Sequence, residues 1–210
     1  MSSKQETNSQ NNSLMKKSEA EKTFIFIGLI LIFIAIVILG YTFKPVIKEE
    51  FKYFTRSKKS EKIKPINKNF SIVIPKIKAN SKVVADVSPY NEKNYQLALT
   101  KGVAHAQNTA YPGEIGNTFI FAHSSEDWYK ANQYNSVFYL LNKLEKKDDI
   151  YIYYKNREYH YQVFDKKIVN PKEINYMIDK FAERKLTLMT CWPPGTTLKR
   201  LIVIANLLKK

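Results

Sequence analysis

At 210 residues the chain is long enough for one domain of ordinary size with extensions. Its single cysteine excludes an intramolecular disulfide and argues against a cysteine-based zinc site, which needs several thiolates. The net charge of +15 invites a nucleic-acid-binding interpretation, but residues 44–68 alone hold nine Lys or Arg against three Glu, beside an apolar run. Attraction to anionic lipid headgroups or wall polymers is the simpler explanation. Since no zinc finger, phosphate loop or RNA-binding signature is present, we expect no nucleic-acid partner.

The N-terminal part of the chain predicts a membrane anchor. Residues 1–22 are polar and are predicted to be disordered. Residues 24–40 are uninterruptedly apolar, and residues 23–43 are long enough as a helix to cross a hydrocarbon core of about 30 Å. A cleaved signal peptide or a buried helix is the alternative, but no small-residue cleavage pattern follows the run. Residues 44–68 form a basic juxtamembrane linker, and lysines on both sides of the run leave its orientation open.

A folded domain is predicted over residues 69–210. Its first half shows β-branched runs at residues 70–77 and 82–87, which predict strands. Residues 91–100 predict a short helix, and residues 118–122 predict a buried strand that ends directly before His123.

The second half of this domain also favours short elements. Residues 135–144 predict a helix, because their apolar side chains recur at helical spacing. Residues 150–154 and 157–164 predict a hairpin around a two-residue turn. Residues 173–183 can contain a further helix. With two strands near the C-terminus, about eight short strands and few helices predict a mainly β fold with a closed or nearly closed barrel.

The most informative stretch lies near the C-terminus, in residues 186–205. Its alternating start and its apolar end predict two strands, and Pro193-Pro194-Gly195 marks the loop between them. The only cysteine, Cys191, thus ends one strand, and Arg200 opens the next. Because a nearby cation stabilises a thiolate, the pair suits nucleophilic chemistry. A buried, inert cysteine is the alternative interpretation.

This stretch resembles a known family. Thr187-Leu188-Met189-Thr190-Cys191 is similar to the TLxTC signature of sortases, the cysteine transpeptidases that attach proteins to bacterial cell walls. Residues 70–77 resemble the opening strand of that family, and residues 102–123 resemble its central segment, which ends in the active-site histidine. The resemblance covers residues 70–206. It implies an eight-stranded sortase-like β-barrel with a few short helices, held outside the cytoplasm by a single N-terminal membrane span.

The resemblance also assigns roles to residues. Cys191 is the expected nucleophile, His123 the general acid and base, and Arg200 the group that binds the substrate carbonyl or the oxyanion. Thr190 and Trp192 are candidate substrate-binding residues, although strand alternation turns Thr190 away from the face of Cys191. His160 is interpreted as a strand-face residue. From the residues alone His105 is the alternative acid and base, and the resemblance selects His123 instead.

The expected reaction is cleavage of an LPxTG-like sorting motif near the C-terminus of a secreted protein, through a thioacyl intermediate on Cys191. The acceptor is an amine of a peptidoglycan precursor or a pilin lysine. No Asp-Pro-aromatic motif like the lid of pilus-building sortases precedes Phe70, and the chain ends soon after its last strand, which favours the wall-anchoring type. No cofactor and no metal are expected, because no acidic cluster supplies the oxygen ligands of a calcium ion.

Two other interpretations remain open. A pilin-polymerising sortase would use the same site. A non-catalytic, membrane-tethered β-domain that binds wall polymers through its basic surface would leave the combination of His123, Cys191 and Arg200 unexplained. An L,D-transpeptidase would place a Ser-His-Gly-Cys-like motif at the nucleophile, which Thr190-Cys191-Trp192-Pro193 does not match.

Overall fold

The computed structural model of the protein describes most of residues 63–208. The described residues are 22, 24, 26–38, 40, 41, 63–124, 137–173, 175–178 and 183–208. The chain divides into two units, Met1–Arg56 and Ser57–Lys210. Disorder is predicted for residues 1–22, of which only Lys22 is described, and it is helical. Most of the predicted basic linker lies outside the described residues, and the predicted domain boundaries stay predictions.

The described residues of the first unit, between Lys22 and Tyr41, are helical. Their large apolar side chains are exposed, with Phe24 at 75% and Phe33 at 67% of full exposure. Within the described residues, no helix combines the length and the apolar character needed to cross a membrane. The membrane span therefore stays a prediction.

The described residues of the second unit form a closed barrel of eight strands. The strands are β1 (Phe70–Ile74), β2 (Ala79–Val87), β3 (Val103–Ala106), β4 (Gly116–Phe121), β5 (Asp149–Tyr154), β6 (Arg157–Val169), β7 (Arg184–Trp192) and β8 (Lys199–Leu207). They close in the order β1-β2-β3-β4-β7-β8-β6-β5. The β2–β3 and β4–β7 pairs are parallel and the other pairs are antiparallel. The prediction of a mainly β barrel with few helices is confirmed.

Strand β7 illustrates how the two faces of the barrel wall differ. Leu186 and Leu188 are fully buried, and they pair with Ala205 and Val203 of β8, which are fully buried as well. Because successive side chains alternate between faces, Met189 of β7 lies on the other face. There it packs with residues of two outer apolar clusters.

Two short helices cover part of this outer face. Helix α1 (Glu92–Leu99) begins at Asn91, whose side-chain oxygen accepts a hydrogen bond from the backbone N–H of Asn94 at 3.1 Å, as is typical of an N-cap. The prediction of a helix at residues 91–100 is confirmed. Helix α2 is a single turn, Asn175–Ile178, in the segment between β6 and β7.

Several predicted elements differ from the structure. The strand predicted over 70–77 ends at Ile74, because Pro75 has no backbone N–H to continue the pairing and begins a 3₁₀ turn. The described part of the helix predicted over 135–144 is a turn followed by a 3₁₀ turn, Leu141–Lys143. Four of its apolar residues are buried without a helix, namely Phe138, Leu140, Leu141 and Leu144.

The predicted hairpin is confirmed, although its second strand runs further than expected. Tyr154 of β5 pairs with Arg157 of β6 across Lys155 and Asn156. Both turn residues have positive φ, 48° and 63°, which is the conformation of a type I′ turn. Strand β6 continues to Val169, past a register shift between Val163 and Asp165.

Asn117 ties helix α2 to the barrel. Its side chain is 4% exposed, donates through Nδ2 to the carbonyl of Tyr176 at 2.8 Å and accepts at Oδ1 from Thr187 Oγ1 at 2.8 Å. Both partners depend on this one amide. A buried polar group that loses its partner is costly, so the amide is expected to stabilise both the β4–β7 contact and α2.

We predict that Asn117→Leu lowers the free energy of unfolding by about 1–3 kcal/mol, since it leaves a buried hydroxyl and a carbonyl without a partner. Urea unfolding of the full chain in detergent measures the loss. Adding Thr187→Val removes the stranded hydroxyl, so the double variant should lose less than the sum of the two single losses. Equal stability of Asn117→Leu and the wild type would show that the amide has no such role.

Candidate active site

The sequence places His123 directly after β4, and the structure fixes this point against β7. The backbone N–H of Ala122 donates to the carbonyl of Met189 at 3.1 Å. Thr190 Oγ1 donates to the carbonyl of Ala122 at 2.9 Å. The residue before His123 is therefore held by the two residues before Cys191.

The strand registers bring three predicted site residues to one edge of the barrel. Cys191 of β7 pairs directly with Arg200 of β8. Phe121 of β4 pairs in parallel with Met189 of β7, where the pairing ends. His123 follows Phe121 by two residues, as Cys191 follows Met189. Alternation puts Met189 and Cys191 on the outer face. Cys191, Arg200 and the residue before His123 thus lie at the same end of the neighbouring strands β4, β7 and β8.

Arg200 is held by the loop that precedes it. Its Nη1 donates to the carbonyls of Thr197 and Lys199, both at 3.1 Å. The loop itself contains a turn, in which the N–H and the hydroxyl of Thr196 both bond to the carbonyl of Pro193. A guanidinium has five N–H donors. Holding Nη1 in this way leaves the N–H groups of Nε and Nη2 as donors for another acceptor.

The nucleophile candidate is accessible. Cys191 is a free, half-buried thiol at the end of β7. Trp192 follows it, half-buried, and pairs with Lys199. Thr190 is only 2% exposed, and its hydroxyl donates a hydrogen bond to the carbonyl of Ala122. Substrate binding by Thr190 and Trp192 stays a prediction, as do the catalytic roles of the three residues described above.

Helix α1 also contributes residues near His123, and the sequence did not indicate this contribution. Gln96 Oε1 lies 3.1 Å from His123 Nε2. Tyr95 is half-buried and packs its ring edge-on against Phe121, with ring centroids 6.3 Å apart. The sequence predicted that Tyr95 and Gln96 lie on the same helix. Nothing in the sequence indicates that this helix packs over the end of β4.

The pKa of Tyr95 depends on charged groups around it. Burial raises the pKa of its phenol above the usual value, and the charges of Glu92 and of an ionised Cys191 raise this pKa further. A hydrogen bond from Gln96 and the positive charge of Arg200 oppose the shift. The phenol is thus close enough to both Cys191 and Arg200 to be affected by them.

His105, the second histidine of the sequence motif, is fully buried in an aromatic cluster. Its ring stacks on Tyr111 with centroids 4.8 Å apart. Its Nε2 lies 3.2 Å from the carbonyl of Ala110 and 3.0 Å from Thr109 Oγ1. Because a carbonyl only accepts, Nε2 carries the hydrogen. In the described part of the chain Nδ1 has no hydrogen-bond partner, although Asp86 Oδ1 lies 4.0 Å away.

The neighbours of His105 form a second polar contact. The Tyr111 hydroxyl donates to Asp86 Oδ2 at 2.5 Å, and this bond raises the pKa of Tyr111 to about 12.

The third histidine, His160, is half-buried on β6, and its Nε2 lies 2.7 Å from Asp149 Oδ1. Over the described residues no group of three or more His, Cys, Asp or Glu could hold a metal ion. That the protein uses no metal stays a prediction.

Comparison with known proteins decides the family. A family model described as the sortase domain matches residues 72–208, well over half of the chain. The chain belongs to the sortase family. Sortase D of Bacillus subtilis (strain 168) is 27% identical over 133 residues, a match that covers 62% of this sortase and 59% of that protein. The chain therefore spans about three-fifths of the length of this curated relative.

Solved sortase structures share the fold. Sortase C-1 from Actinomyces oris superimposes with a TM-score of 0.57 and 25% identity, over 69% of this chain and 76% of that one. The pilus-related sortase C of Group B Streptococcus superimposes with a TM-score of 0.55 and 26% identity, over 72% and 77% of the two chains. The predicted resemblance is thus confirmed at the level of the family and the fold.

We predict that His105 makes the stability of the domain fall in acid. Burial lowers the pKa of His105, although the Ala110 carbonyl and the charges of Asp86 and Glu114 oppose the shift. The unfolded chain, with an ordinary histidine pKa near 6.5, then binds the proton more readily than the folded chain. Stability is therefore full above about pH 6.5, and it falls below that pH by at most about 1.4 kcal/mol per pH unit until the folded pKa is passed.

Urea unfolding of the full chain at a series of pH values between 8 and 5 measures this slope. His105→Gln should flatten it. A slope that is the same in His105→Gln and the wild type would contradict the assignment to His105.

Proposed function

We propose that this sortase is a membrane-anchored cysteine transpeptidase that cleaves an LPxTG-like sorting motif and joins the cleaved protein to a cell-wall amine. The observation that carries the proposal is the strand register around β7. It pairs Cys191 with Arg200, and it brings the end of β4, which His123 follows, next to Met189, two residues before Cys191. This supports a site in which a nucleophile, a proton carrier and a cation act on one bound peptide.

In the first half-reaction the thiolate of Cys191 attacks the carbonyl carbon of the scissile peptide bond. A C–S bond forms, and the carbonyl oxygen becomes an oxyanion that Arg200 stabilises. The C–N bond then breaks as the imidazolium of His123 gives its proton to the departing amine. The N-terminal part of the substrate remains on Cys191 as a thioester.

The second half-reaction reverses these roles. A primary amine attacks the thioester carbonyl, His123 takes a proton from that amine, and the C–S bond breaks to restore the thiolate. The acceptor is an amine of a peptidoglycan precursor, and the donor is a secreted protein that carries the sorting motif near its C-terminus. Trp192 and Thr190 are candidate contacts for that motif. No cofactor is required by either step.

The location follows from the first unit. We infer that residues 23–43 anchor the chain in the cell membrane with the catalytic domain outside the cytoplasm. The apolar run and the exposed apolar side chains around Phe33 support this. Release of the full chain from isolated membranes by alkaline carbonate, without detergent, would contradict the anchor.

A pilin lysine is the second candidate acceptor. Its support is the similarity to the pilus-related sortase C of Group B Streptococcus, which covers 72% of this chain. The two acceptors differ in what surrounds the amine, since one is a wall peptide and the other a protein side chain. The preferred acceptor in a direct competition therefore distinguishes the two functions.

We predict that the full chain in detergent micelles transfers a labelled LPxTG-like peptide to an amine. A library of motif variants is incubated with equal amounts of a peptidoglycan stem peptide and a lysine-containing pilin-type peptide. Chromatography with mass spectrometry identifies the product. Cys191→Ala should reduce transfer to the uncatalysed level, because no other described thiol exists.

The outcome separates the candidate functions. A predominant stem-peptide product supports wall anchoring, and a predominant lysine product supports pilin polymerisation. Full activity of Cys191→Ala would remove Cys191 from the site. If a folded chain gives no product with any library member, the protein is the non-catalytic wall-binding domain instead.

We predict that Arg200→Lys lowers kcat/KM by about 10²–10³, the effect of losing one oxyanion donor, because an ammonium cannot reproduce the planar guanidinium. Lys199→Arg, a substitution at the neighbouring exposed position that keeps the charge, is the matched control and should keep near-normal activity. If Arg200→Lys stays within twofold of the wild type, Arg200 does not stabilise the oxyanion.

A further inference from the structure

The side chain of Asn117 joins two separate elements through one amide group. Its Nδ2 donates to the backbone carbonyl of Tyr176 in helix α2 at 2.8 Å, and its Oδ1 accepts from Thr187 Oγ1 of β7 at 2.8 Å. Because a carbonyl oxygen only accepts hydrogen bonds, Nδ2 must face Tyr176, and Oδ1 is left for Thr187. The two contacts thus fix the orientation of the amide.

The amide is shielded from water. Asn117 is 4% exposed and Thr187 is 1% exposed. A buried polar group that loses its partner is costly, so neither bond is readily exchanged for one to solvent. The backbone of Tyr176 is therefore held at a defined position relative to β4 and β7.

Helix α2 packs on the outer face of the sheet that carries Cys191. Tyr176 packs against both outer apolar clusters, the one that β6 and β8 form and the larger one that includes β3 and β4. Met189 packs against the same two clusters, and it precedes Cys191 by two residues on the same face of β7. Tyr176, Met189 and Cys191 are all half-buried, so each keeps surface open to a ligand.

The position of α2 depends on contacts with the rest of the domain. The helix is a single turn, Asn175–Ile178, which is too short to be stable by itself. The Tyr176 ring packs on the sheet, and Lys167 Nζ, which lies 3.2 Å from Asp165 Oδ2, is 5.9 Å from the ring centroid. The ring and the carbonyl of Tyr176 are thus held by different groups. Loss of the Asn117 bond should displace α2 without unfolding the barrel.

We propose that Asn117 is a positioning residue for substrate binding: by holding the Tyr176 carbonyl it fixes α2 as one side of the surface on which the peptide lies next to Cys191. Asn117 is buried and acts through α2. The inference rests on the proposed function, and it adds a residue that sets the affinity for the peptide. Cys191 and Arg200 take their positions from the pairing of β7 with β8, which does not involve α2.

The proposal predicts a change in KM and not in kcat. A binding contact that is equally strong in the ground state and the transition state lowers KM and leaves kcat unchanged. Removing the Asn117 bond should therefore raise KM for the peptide by about five- to tenfold, the value of one hydrogen bond, with kcat within about twofold of the wild type. A loss of folded protein would instead lower the apparent kcat and leave KM unchanged.

The test variant is the double substitution Asn117→Leu/Thr187→Val in the full chain. Asn117→Leu keeps the shape of the side chain but strands the Thr187 hydroxyl, and Thr187→Val removes that hydroxyl. Thr187→Val alone is the matched control, because it breaks the other bond of the same amide and keeps the bond to Tyr176. We expect a raised KM in the double variant and the wild-type KM in Thr187→Val.

Methyl NMR of the full chain in detergent micelles measures the position of α2 independently of activity. The chain has four methionines, and one of them, Met177, lies on α2 and packs against the larger outer cluster. With ¹³C-methyl-labelled methionine, a Met177→Leu variant assigns its resonance. In the double variant this resonance should move toward its position in the urea-unfolded chain, whereas in Thr187→Val it should stay at the wild-type position.

The outcomes separate the claims. A double variant with the KM and the Met177 resonance of the wild type, or equal effects in the double variant and in Thr187→Val, would overturn the proposal. An active double variant with a displaced Met177 resonance and an unchanged KM would refute the role in substrate binding. A wild type without transfer would refute the proposed function, while the Met177 resonance would still decide whether Asn117 positions α2.

Discussion

The site depends on the position of β7 between β4 and β8. A parallel pairing on one side and an antiparallel pairing on the other make β7 a central strand, with both backbone edges bonded. The pairing with β4 ends at Met189, and the pairing with β8 continues through Cys191 to Trp192. Cys191 gains a defined position from this pairing alone, and Arg200 and the residue before His123 take theirs from the same two registers.

Side chains alternate along β7, so the residues that pack in the core and the candidate nucleophile lie on opposite faces of the strand. Leu188 and Thr190 face the buried interior, where the Thr190 hydroxyl is used to hold Ala122. Met189 and Cys191 face outward, toward the surface that α1 and α2 partly cover. A slip of one residue in the register would exchange the two faces, burying the thiol and exposing a leucine. The need to bury one face thus also keeps the nucleophile accessible.

Much of the fold could be predicted from local patterns. The hairpin between β5 and β6 was predictable because Lys155 and Asn156 separate two β-rich runs by the commonest loop length. The helix predicted over residues 135–144 was wrong in its described part, because apolar spacing alone cannot tell a helix from turns that bury the same residues. Strand β3 was missed, because three of its four residues are Ala or His and carry little strand preference.

The candidate site was predictable where sequence motifs carry it and not where tertiary contacts do. Cys191 and Arg200 lie close together along the chain, and His123 ends a recognisable strand. The contact of Gln96 with His123 joins a helix to a strand end across 27 positions, and it depends on how α1 packs on the sheet. No local pattern encodes that packing, since it follows from the apolar surfaces of several separate elements.

If Cys191 is the nucleophile, it forms a covalent bond with a peptide substrate, and direct detection of that bond tests this role. The full chain is incubated with an LPxTG-like peptide without an amine acceptor, quenched in acid and digested with trypsin for mass spectrometry. We expect the tryptic peptide spanning residues 186–199 to gain the mass of the acyl fragment, and we expect hydroxylamine to remove that fragment. An acyl group on any other residue, or turnover of the peptide without modification of Cys191, would show that Cys191 is not the nucleophile.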